Sequence, residues 1–346
     1  MPDSAGSRRP KDEDFIETQE GLLFRVLGYL HPPDGYTAYL HYDYDRAEPA
    51  GTRSKAGYRK IPHRFNAAGI AGTIRYLENH HPHYVVDDPV QGVRLSVVPR
   101  RRVRRYLLPE ARLAAVSDRP RDPLETLVQE LAASLAAASG VPLSALGVTG
   151  SVLASIHDPQ TSDIDLVSYG REPARRLKQA LLRQAPAGVQ PVEDERLRHW
   201  VWEFVHDFPL TRAEAHYLVD RRWNCGRFGG RFFSLWAART DEEITEIYGE
   251  RSYRSLGPAR VRAVVVDIGD AIFLPATYGV HPLAVTSGPD VHITQIVTYD
   301  MRFVDAFESG MTIEAMGRVE TTSDGIYRLV IGSEALAGRD YFRPLG

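Results

Sequence analysis

Short apolar runs separated by turn residues dominate the first third of the chain. GLLFRVLGYL (21–30) and YTAYLHYDY (36–44) are joined by HPPDG, a Pro and Gly turn signal, and predict two antiparallel strands. Apolar residues at helical spacing in FNAAGIAGTIRYLEN (65–79) predict a helix, and YVVDD (84–88) predicts a further strand. We therefore predict a small α+β domain over residues 14–118.

Predicted strands and helices alternate over residues 119–250. Asp122 followed by Pro123 predicts a helix start, and Gly140 predicts the end of the same helix. ALGVTGS, SDIDLVSYG and GGRFFSLWAA predict strands, whereas EPARRLKQALLRQA and the capping box TRAE predict helices. This alternation predicts a mixed sheet with helices on one side.

The pattern becomes rich in β-structure over residues 255–346. Four runs, VRAVVVDIG, VHITQIVTYD, MTIEAMGRVETT and GIYRLVIGS, are separated by Gly, Pro and Asp turns and predict a small OB-like barrel or a sandwich. The aromatic residues of this region either stack single-stranded bases or fill a small β core, and the sequence leaves both interpretations open: Phe273, Tyr278, Tyr299, Phe303 and Tyr327. The predicted fold class of the whole chain is α+β.

Composition narrows the class of protein. Residues 1–13 are charged and lack apolar side chains to bury, which predicts disorder, and they do not form a secretory signal. A single cysteine, Cys225, excludes an internal disulfide and fits a reducing compartment. The net charge of −3 gives no general attraction to nucleic acid, and no apolar run reaches the length of a membrane span. We expect a cytoplasmic protein without a membrane partner.

The stretch TGSVLASIHDPQTSDIDL (149–166) carries the candidate chemistry. Residues two apart on a strand project to the same face, so Asp163 and Asp165 are predicted to lie together. Two adjacent carboxylates repel each other unless a cation lies between them, and their oxygen atoms suit Mg²⁺ (or Mn²⁺) with substrate phosphates. Gly150 allows a close approach of the backbone to a ligand, and Ser151 is predicted to begin a helix whose N–H groups bind phosphate.

This motif resembles the signature of the DNA polymerase beta-like nucleotidyltransferase superfamily, which is an apolar strand, Gly-Ser or Gly-Gly, a short helix and loop, and Asp-x-Asp. DFIETQEGLLFRVLGY and RRWNCGRFGGRFF also resemble segments of a group of predicted nucleotidyltransferases of archaea and bacteria. The resemblance covers most of the first 240 residues and implies that residues 119–250 form the nucleotidyltransferase domain. It implies that Asp163 and Asp165 are catalytic and bind the metal, and that Gly150 and Ser151 bind the nucleotide.

One expected feature of the superfamily is missing from the sequence. The resemblance implies a third carboxylate on a later strand, which here is RFFSLWAAR, with Phe233 or Ser234 at the expected position. Neither side chain can replace a carboxylate in a two-metal site. The acidic residues that remain open as alternatives are Glu203, Asp207, Asp220, Asp267 and Asp270.

Several basic residues are candidates for binding phosphate. PRRRVRRY (99–106) either contacts nucleic acid or the triphosphate, or forms a solvated surface. Arg221, Arg222 and Arg227 flank Asn224, and we predict that Arg222 and Asn224 belong to the nucleotide site, where arginine neutralises the leaving pyrophosphate.

The histidines and the cysteine give no clear indication of a metal site or of a nucleophile. His80, His81 and His83 have no cysteine or acidic partner at zinc-ligand spacing, so a polar loop is the simpler interpretation. Cys225 has no accompanying histidine signature of a nucleophile.

Two functional hypotheses follow. The first is a metal-dependent nucleotidyltransferase that moves a nucleoside monophosphate from an NTP to a hydroxyl of RNA, a protein or a small molecule. The second, motivated by the missing carboxylate, is a nucleotide- or nucleic-acid-binding module of the same fold with weak or no turnover. The sequence leaves the oligomeric state open.

Overall fold

The computed structural model describes residues 8–44, 57–61, 67–183 and 185–345, which form a mixed α+β structure with several sheets. None of the helices in these ranges is long and apolar enough to cross a membrane. The chain divides into two compact units, each made of separate stretches. The first unit is Met1–Pro62, Ser96–Val192 and Trp223–Thr245, and the second is His63–Leu95, Glu193–Arg222 and Glu246–Gly346.

The secondary-structure elements follow one another along the whole described chain. The strands are β1 (Phe15–Thr18), β2 (Leu23–Val26), β3 (Gly35–Tyr44), β4 (Tyr58–Lys60), β5 (Val85–Asp88), β6 (Val93–Pro99), β7 (Val103–Leu107), β8 (Leu146–Val148), β9 (Ile164–Tyr169), β10 (Val189–Gln190), β11 (Cys225–Phe228), β12 (Arg231–Ala238), β13 (Tyr253–Asp270), β14 (Ala276–Ser287), β15 (Ile293–Thr298), β16 (Thr312–Thr322), β17 (Tyr327–Ile331) and β18 (Tyr341–Pro344). The helices are α1 (Ala67–His80), α2 (Pro109–Asp118), α3 (Pro123–Ser139), α4 (Gly150–Leu153), α5 (Arg171–Arg183), α6 (Asp194–Asp207) and α7 (Arg212–Asp220).

The boundaries of the units differ from the three consecutive domains that we predicted at 14–118, 119–250 and 255–346. Helix α1 and strand β5, from the predicted N-terminal domain, belong to the second unit, as do α6 and α7 from the predicted central domain. Hydrophobic periodicity shows which face of an element is buried, but not which distant element covers it. The sequence therefore could not assign these segments to a unit.

The first sheet of the first unit runs in the order β6-β3-β2-β1-β7, and β4 also pairs with β3. The predicted hairpin is confirmed, because β2 and β3 are antiparallel with Leu23 opposite Tyr42. Tyr42 in turn lies opposite Lys60 on β4, and Glu17 on β1 lies opposite both Leu23 and Arg105.

The second sheet of the first unit runs in the order β10-β11-β12-β9-β8. Strand β9 is antiparallel to β8 and parallel to β12, so the sheet is mixed as predicted. The predicted ends of α3 are confirmed: Asp122 accepts hydrogen bonds from the backbone N–H of Leu124 and Glu125, and Gly140 takes the left-handed conformation.

The second unit is built around a six-stranded sheet in the order β13-β14-β15-β17-β16-β18, with β13 also paired to β16. Its core combines this sheet with α6 and α7, and α7 begins with the predicted capping box of Thr211 and Glu214. Tyr278 and Phe303 are fully buried in this core, and the Tyr278 hydroxyl donates a 2.5 Å hydrogen bond to the Phe303 carbonyl. These two aromatic residues therefore fill the core and cannot stack bases.

The start of the chain requires a correction. Residues 1–7 of the predicted disordered stretch lie outside the described residues, but residues 8–13 are ordered. Arg8 donates hydrogen bonds to Asp14 and to Glu110 of α2, and the carboxylate of the buried Asp12 accepts one from the Gly28 N–H at 2.9 Å. Charged side chains that pair across the fold can be buried, and composition alone did not reveal these partners.

Candidate functional site

The Gly-Ser turn is held directly against the strand that carries the aspartates. The Thr149 N–H donates a 2.8 Å hydrogen bond to the Asp165 carbonyl, and α4 then begins at Gly150, one residue before the predicted start. The helix is short and ends at Leu153, and Ser151 is half-buried in its first turn. Gly150 has a φ of 64°, which favours glycine.

Asp165 occupies the space that a side chain at Gly150 would fill. A Cβ atom on Gly150 would lie 2.6 Å from Asp165 Oδ2, and the other oxygen, Oδ1, accepts a 2.6 Å hydrogen bond from the Ser234 hydroxyl. Asp165 is half-buried on β9 between the buried Ile164 and Leu166, in agreement with the predicted alternation. Asp163 lies just ahead of β9 and is exposed, so only one of the two aspartates is on the strand.

The expected position of the third carboxylate is occupied by Ser234. Strands β9 and β12 are parallel, with Ser234 opposite Asp165 and Phe233 opposite Ile164. Phe233 is fully buried, so position 234 is the one that faces the aspartate. The Ser234 hydroxyl also accepts a 3.0 Å hydrogen bond from Trp236 Nε1, which fixes its direction. A hydroxyl donor thus stands where a metal ligand was expected.

The first sheet lies against α4 and contributes residues that the sequence did not indicate. Phe15 and Leu23 of this sheet pack with Leu153 and Ala154, and Tyr42 borders the same cluster. Lys60 lies opposite Tyr42 on β4, on the same face of the sheet. No local sequence motif indicates Lys60, because its position near Tyr42 depends on the pairing of β3 with β4.

Electrostatics link Lys60 and Tyr42 to the two aspartates. Desolvation lowers the pKa of Lys60, although part of the residue is exposed to solvent. The negative charges of Asp165 and Asp163 act to raise the same pKa. Desolvation, followed by the charge of Asp165, raises the pKa of Tyr42. A lysine, a tyrosine and two carboxylates therefore share one region of the first unit.

A second group of potential metal ligands joins the loop that follows α4 to the start of α3. Ligand atoms of Asp122, Glu125 and His157 lie within 4.8 Å of one another, and His157 Nε2 is 2.8 Å from Asp122 Oδ2. The Arg112 guanidinium donates a 2.5 Å hydrogen bond to Glu125 and a 3.0 Å bond to the Val152 carbonyl of α4. Because Arg112 already supplies a positive charge to Glu125, we interpret this group as an ionic network that holds α4.

The predicted nucleotide-binding residues Arg222 and Asn224 fall in different units. The Arg222 guanidinium carbon lies 4.2 Å from the ring centre of Trp200 in the second unit. The Asn224 carbonyl accepts a 2.8 Å hydrogen bond from the Leu235 N–H, one residue beyond Ser234. Their contact with a nucleotide stays a prediction.

The five acidic alternatives for a third ligand belong to the second unit: Glu203, Asp207, Asp220, Asp267 and Asp270. Arg302 donates a 2.7 Å hydrogen bond to Asp207, so this carboxylate already has a cationic partner. Glu203 Oε1 lies 3.7 Å from His199 Nε2 on the same helix. The Asp267 carboxylate accepts a 2.8 Å hydrogen bond from the Gly269 N–H.

His80 and two arginines of the basic block have structural partners. His80 Nδ1 lies 2.9 Å from the Tyr76 carbonyl, and its ring stacks on that of Tyr76. In the basic block, Arg104 and Arg105 both bind Glu17, at 2.7 and 2.5 Å.

Comparisons with known proteins give a relative without an assigned activity. No family model matches the chain, and no solved structure matches it. The chain is 29% identical over 342 residues to an uncharacterized protein of Methanocaldococcus jannaschii, and the match covers 95% of this chain and 97% of that protein. The similarity therefore extends over nearly the whole length of both chains.

Proposed function

We propose that this protein is a metal-dependent nucleotidyltransferase that transfers a nucleoside monophosphate from an NTP to a hydroxyl acceptor. The observation that carries the proposal is the placement of Gly150 against the Asp165 carboxylate, with Asp163 two residues away. The hydrogen bond from Thr149 to Asp165 fixes this placement through the backbone. A turn that can approach phosphate and a pair of carboxylates are the two requirements for binding a metal-bound triphosphate.

The residues present suit a magnesium or manganese ion. Asp163 and Asp165 would hold it, since both are hard oxygen ligands and Gly150 leaves the Oδ2 side of Asp165 clear of a Cβ atom. When bound, the ion neutralises charge on the triphosphate. Gly150 and Ser151 bind the β- and γ-phosphates, and Ser234 orients Asp165.

The proposed transfer conserves atoms and charge. The acceptor hydroxyl oxygen forms a bond to the α-phosphorus, and the bond between the α-phosphorus and the bridging oxygen of the β-phosphate breaks. Pyrophosphate leaves with that electron pair, and the hydroxyl proton passes to water. Positioning and charge neutralisation by the site supply most of the rate enhancement.

The sheet topology supports an assignment of the two larger parts of the fold. We propose that the sheet β10-β11-β12-β9-β8 is the superfamily's catalytic sheet, because β12, the expected strand of the third carboxylate, lies beside β9. We propose that the β-rich part of the second unit is the predicted small barrel, since β13 pairs with both β14 and β16.

Ser234 favours a second candidate function. Without a carboxylate opposite Asp165, the site has two carboxylates for the nucleotide-bound metal and lacks one to help activate the acceptor. A nucleotide-binding module with slow or no transfer is therefore the alternative. Pyrophosphate release with Mg²⁺ and each NTP, over a panel of RNA, protein and small-molecule acceptors, separates the two functions.

Calorimetry tests the metal-bound nucleotide site itself. We expect Mg²⁺ with an NTP to bind the wild type, and we expect EDTA or Asp165→Asn to weaken binding at least tenfold, which is about 1.4 kcal/mol. Asparagine retains an oxygen that can accept the Ser234 hydrogen bond, so the fold should persist. Asp118→Asn, at an exposed position of α2, is the matched control. Equal affinity for wild type and Asp165→Asn would refute the metal assignment.

A further inference from the structure

The first sheet carries a cluster of tyrosine and arginine side chains that reach solvent beside the candidate site. Tyr44 and Tyr58 lie opposite each other on β3 and β4, with ring centres 5.2 Å apart in an edge-to-face arrangement. Tyr44 is 41% exposed. Lys60 lies two residues after Tyr58 on β4 and therefore projects from the same face of the sheet. We call Tyr44, Tyr58, Arg104 and Arg105 the tyrosine–arginine face.

An irregularity in strand pairing brings both arginines to this face. Glu17 on β1 lies opposite Arg105, but Thr18 lies opposite Val103, so Arg104 is an extra residue in the ladder. Such a bulge redirects side chains, and both guanidinium groups reach the Glu17 carboxylate, at 2.7 and 2.5 Å. The arginine side chains remain 64% and 59% exposed, whereas Glu17 is 6% exposed.

The face has an excess of positive charge and is continuous with the candidate site. Two arginines share one buried carboxylate, which leaves one net positive charge on this face. Leu23 lies opposite both Glu17 and Tyr42, so strand pairing places Glu17 and its two arginines on the face that carries Tyr58. Tyr58 also borders the cluster of Phe15, Leu23, Leu153 and Ala154 that joins the sheet to α4.

We propose that the tyrosine–arginine face binds a single-stranded nucleic acid and presents its terminal hydroxyl to the site at Asp163 and Asp165. The inference rests on the proposed function and names its acceptor. Exposed aromatic rings stack on unpaired bases, and arginines bind the phosphates between them, a combination typical of single-strand binding. An acidic peptide would use the arginines but has no bases to stack on the rings. RNA and DNA share the chemistry of this face, and the experiment distinguishes them.

Fluorescence anisotropy with short labelled single-stranded RNA and DNA tests the proposal on the full chain without NTP. We expect wild type to bind one or both oligonucleotides, more weakly as salt rises. Arg104→Gln with Arg105→Gln should weaken binding about tenfold or more and reduce the salt dependence. The matched control is Arg75→Gln with Arg94→Gln, which removes two exposed arginines from the second unit and should leave affinity unchanged.

Tyr44→Ala keeps the proposal testable if the arginine variant unfolds, because loss of both partners leaves Glu17 buried and uncompensated. Truncation of the exposed ring should weaken oligonucleotide binding about tenfold while the thermal unfolding temperature changes little. The proposal is overturned if wild type binds neither oligonucleotide, if Tyr44→Ala binds like wild type, or if polyglutamate competes as well as the oligonucleotides.

The two proposals fail in different ways. If Mg²⁺ and NTP bind through Asp165 but no oligonucleotide binds, the nucleic-acid acceptor is wrong and the nucleotide site stands. If the oligonucleotide binds through Tyr44 but Asp165→Asn leaves NTP binding unchanged, the metal site is wrong and the nucleic-acid surface stands.

Discussion

Gly150 is subject to two separate constraints, and substitution can distinguish them. Its φ of 64° strains any side chain, and a Cβ atom would in addition lie 2.6 Å from the Asp165 carboxylate. Gly230 has a similar φ of 77° but no atom within 4 Å of a Cβ position. The two glycines therefore share the backbone constraint, and only Gly150 carries the second one.

We predict that Gly150→Ala and Gly230→Ala each lose about 1 kcal/mol of unfolding free energy from the left-handed conformation. Gly150→Ala should lose more, because its methyl group displaces Asp165, and it should also lose metal-dependent NTP binding. Urea unfolding and calorimetry measure the two effects. Equal losses of stability and intact NTP binding in both variants would contradict the close approach.

Ser234→Asp should build the missing carboxylate opposite Asp165. Without metal, two carboxylates about 4 Å apart repel by between about 1 and about 4 kcal/mol, depending on the local dielectric. We expect Ser234→Asp to unfold at a lower temperature than wild type and to be stabilised more by Mg²⁺. Pyrophosphate release should rise if the acceptor is present.

Ser234→Asn is the control for this variant, since it has the same size without the charge. The prediction fails if Mg²⁺ stabilises the Asp and Asn variants equally. Position 233 is excluded as an alternative site for the carboxylate, because Phe233 is fully buried and faces away from Asp165.

Some residues of the candidate site are visible in the sequence because their signal is local. The i and i+2 spacing of Asp163 and Asp165, and the glycine before a short helix, are visible within 18 residues of chain. Lys60 and Tyr42 were missed because their position near the aspartates depends on strand pairing and on the packing of β3 against α4.

Strands β13, β16 and β18 meet at one carboxylate whose protonation should control acid stability. Desolvation opposes the ionised form of Glu314, but hydrogen bonds from Arg343, Tyr341 and Arg262 outweigh it and lower its pKa from 4.5 to about 2. A carboxyl group with a lower pKa in the folded state stabilises above its unfolded pKa. That contribution should disappear as the pH falls from about 4.5 to about 2.

Glu314→Gln tests this dependence. We expect the variant to be less stable than wild type at neutral pH, with the difference narrowing as the pH falls through this window. Urea unfolding at a series of pH values measures it. A difference that stays constant between neutral pH and the acid end of the window would show that Glu314 does not govern the acid transition.

At the level of elements, signals made by neighbouring residues predicted helix ends better than an interrupted alternation predicted a strand. The capping box and the left-handed glycine located α7 and the end of α3 because both signals are made by neighbouring residues. Strand β14 was missed, since Pro282 interrupts its alternation; the structure accommodates this proline where the register with β13 shifts.

On the scale of the whole molecule, the C-terminal strands depend on helices that precede them by many residues. The core of the second unit includes Val201, Phe204, Ala215 and Leu218 from α6 and α7, packed with buried residues of β13 to β18. Without these helices the inner face of the sheet would expose its apolar side chains to water.

We therefore predict that a fragment of residues 255–346, the domain suggested by the sequence, does not fold alone. Circular dichroism should show little cooperative unfolding, and limited proteolysis should digest the fragment faster than the same region of the full chain. A longer polypeptide that joins residues 193–222 to the fragment through a flexible linker should recover protection. A stable, cooperatively unfolding fragment 255–346 would contradict the shared core.

The alternation of the chain between the two units, after Pro62, Leu95, Val192, Arg222 and Thr245, has a consequence during synthesis. The proposed catalytic sheet needs β12, which ends at Ala238, so most of the polypeptide has left the ribosome before that sheet can close. Until then β9 can pair with β8 but lacks β12, its partner on the other side. A nascent chain of this kind is exposed to aggregation, and chaperone binding during translation is expected to matter more for it than for a protein whose domains emerge in sequence.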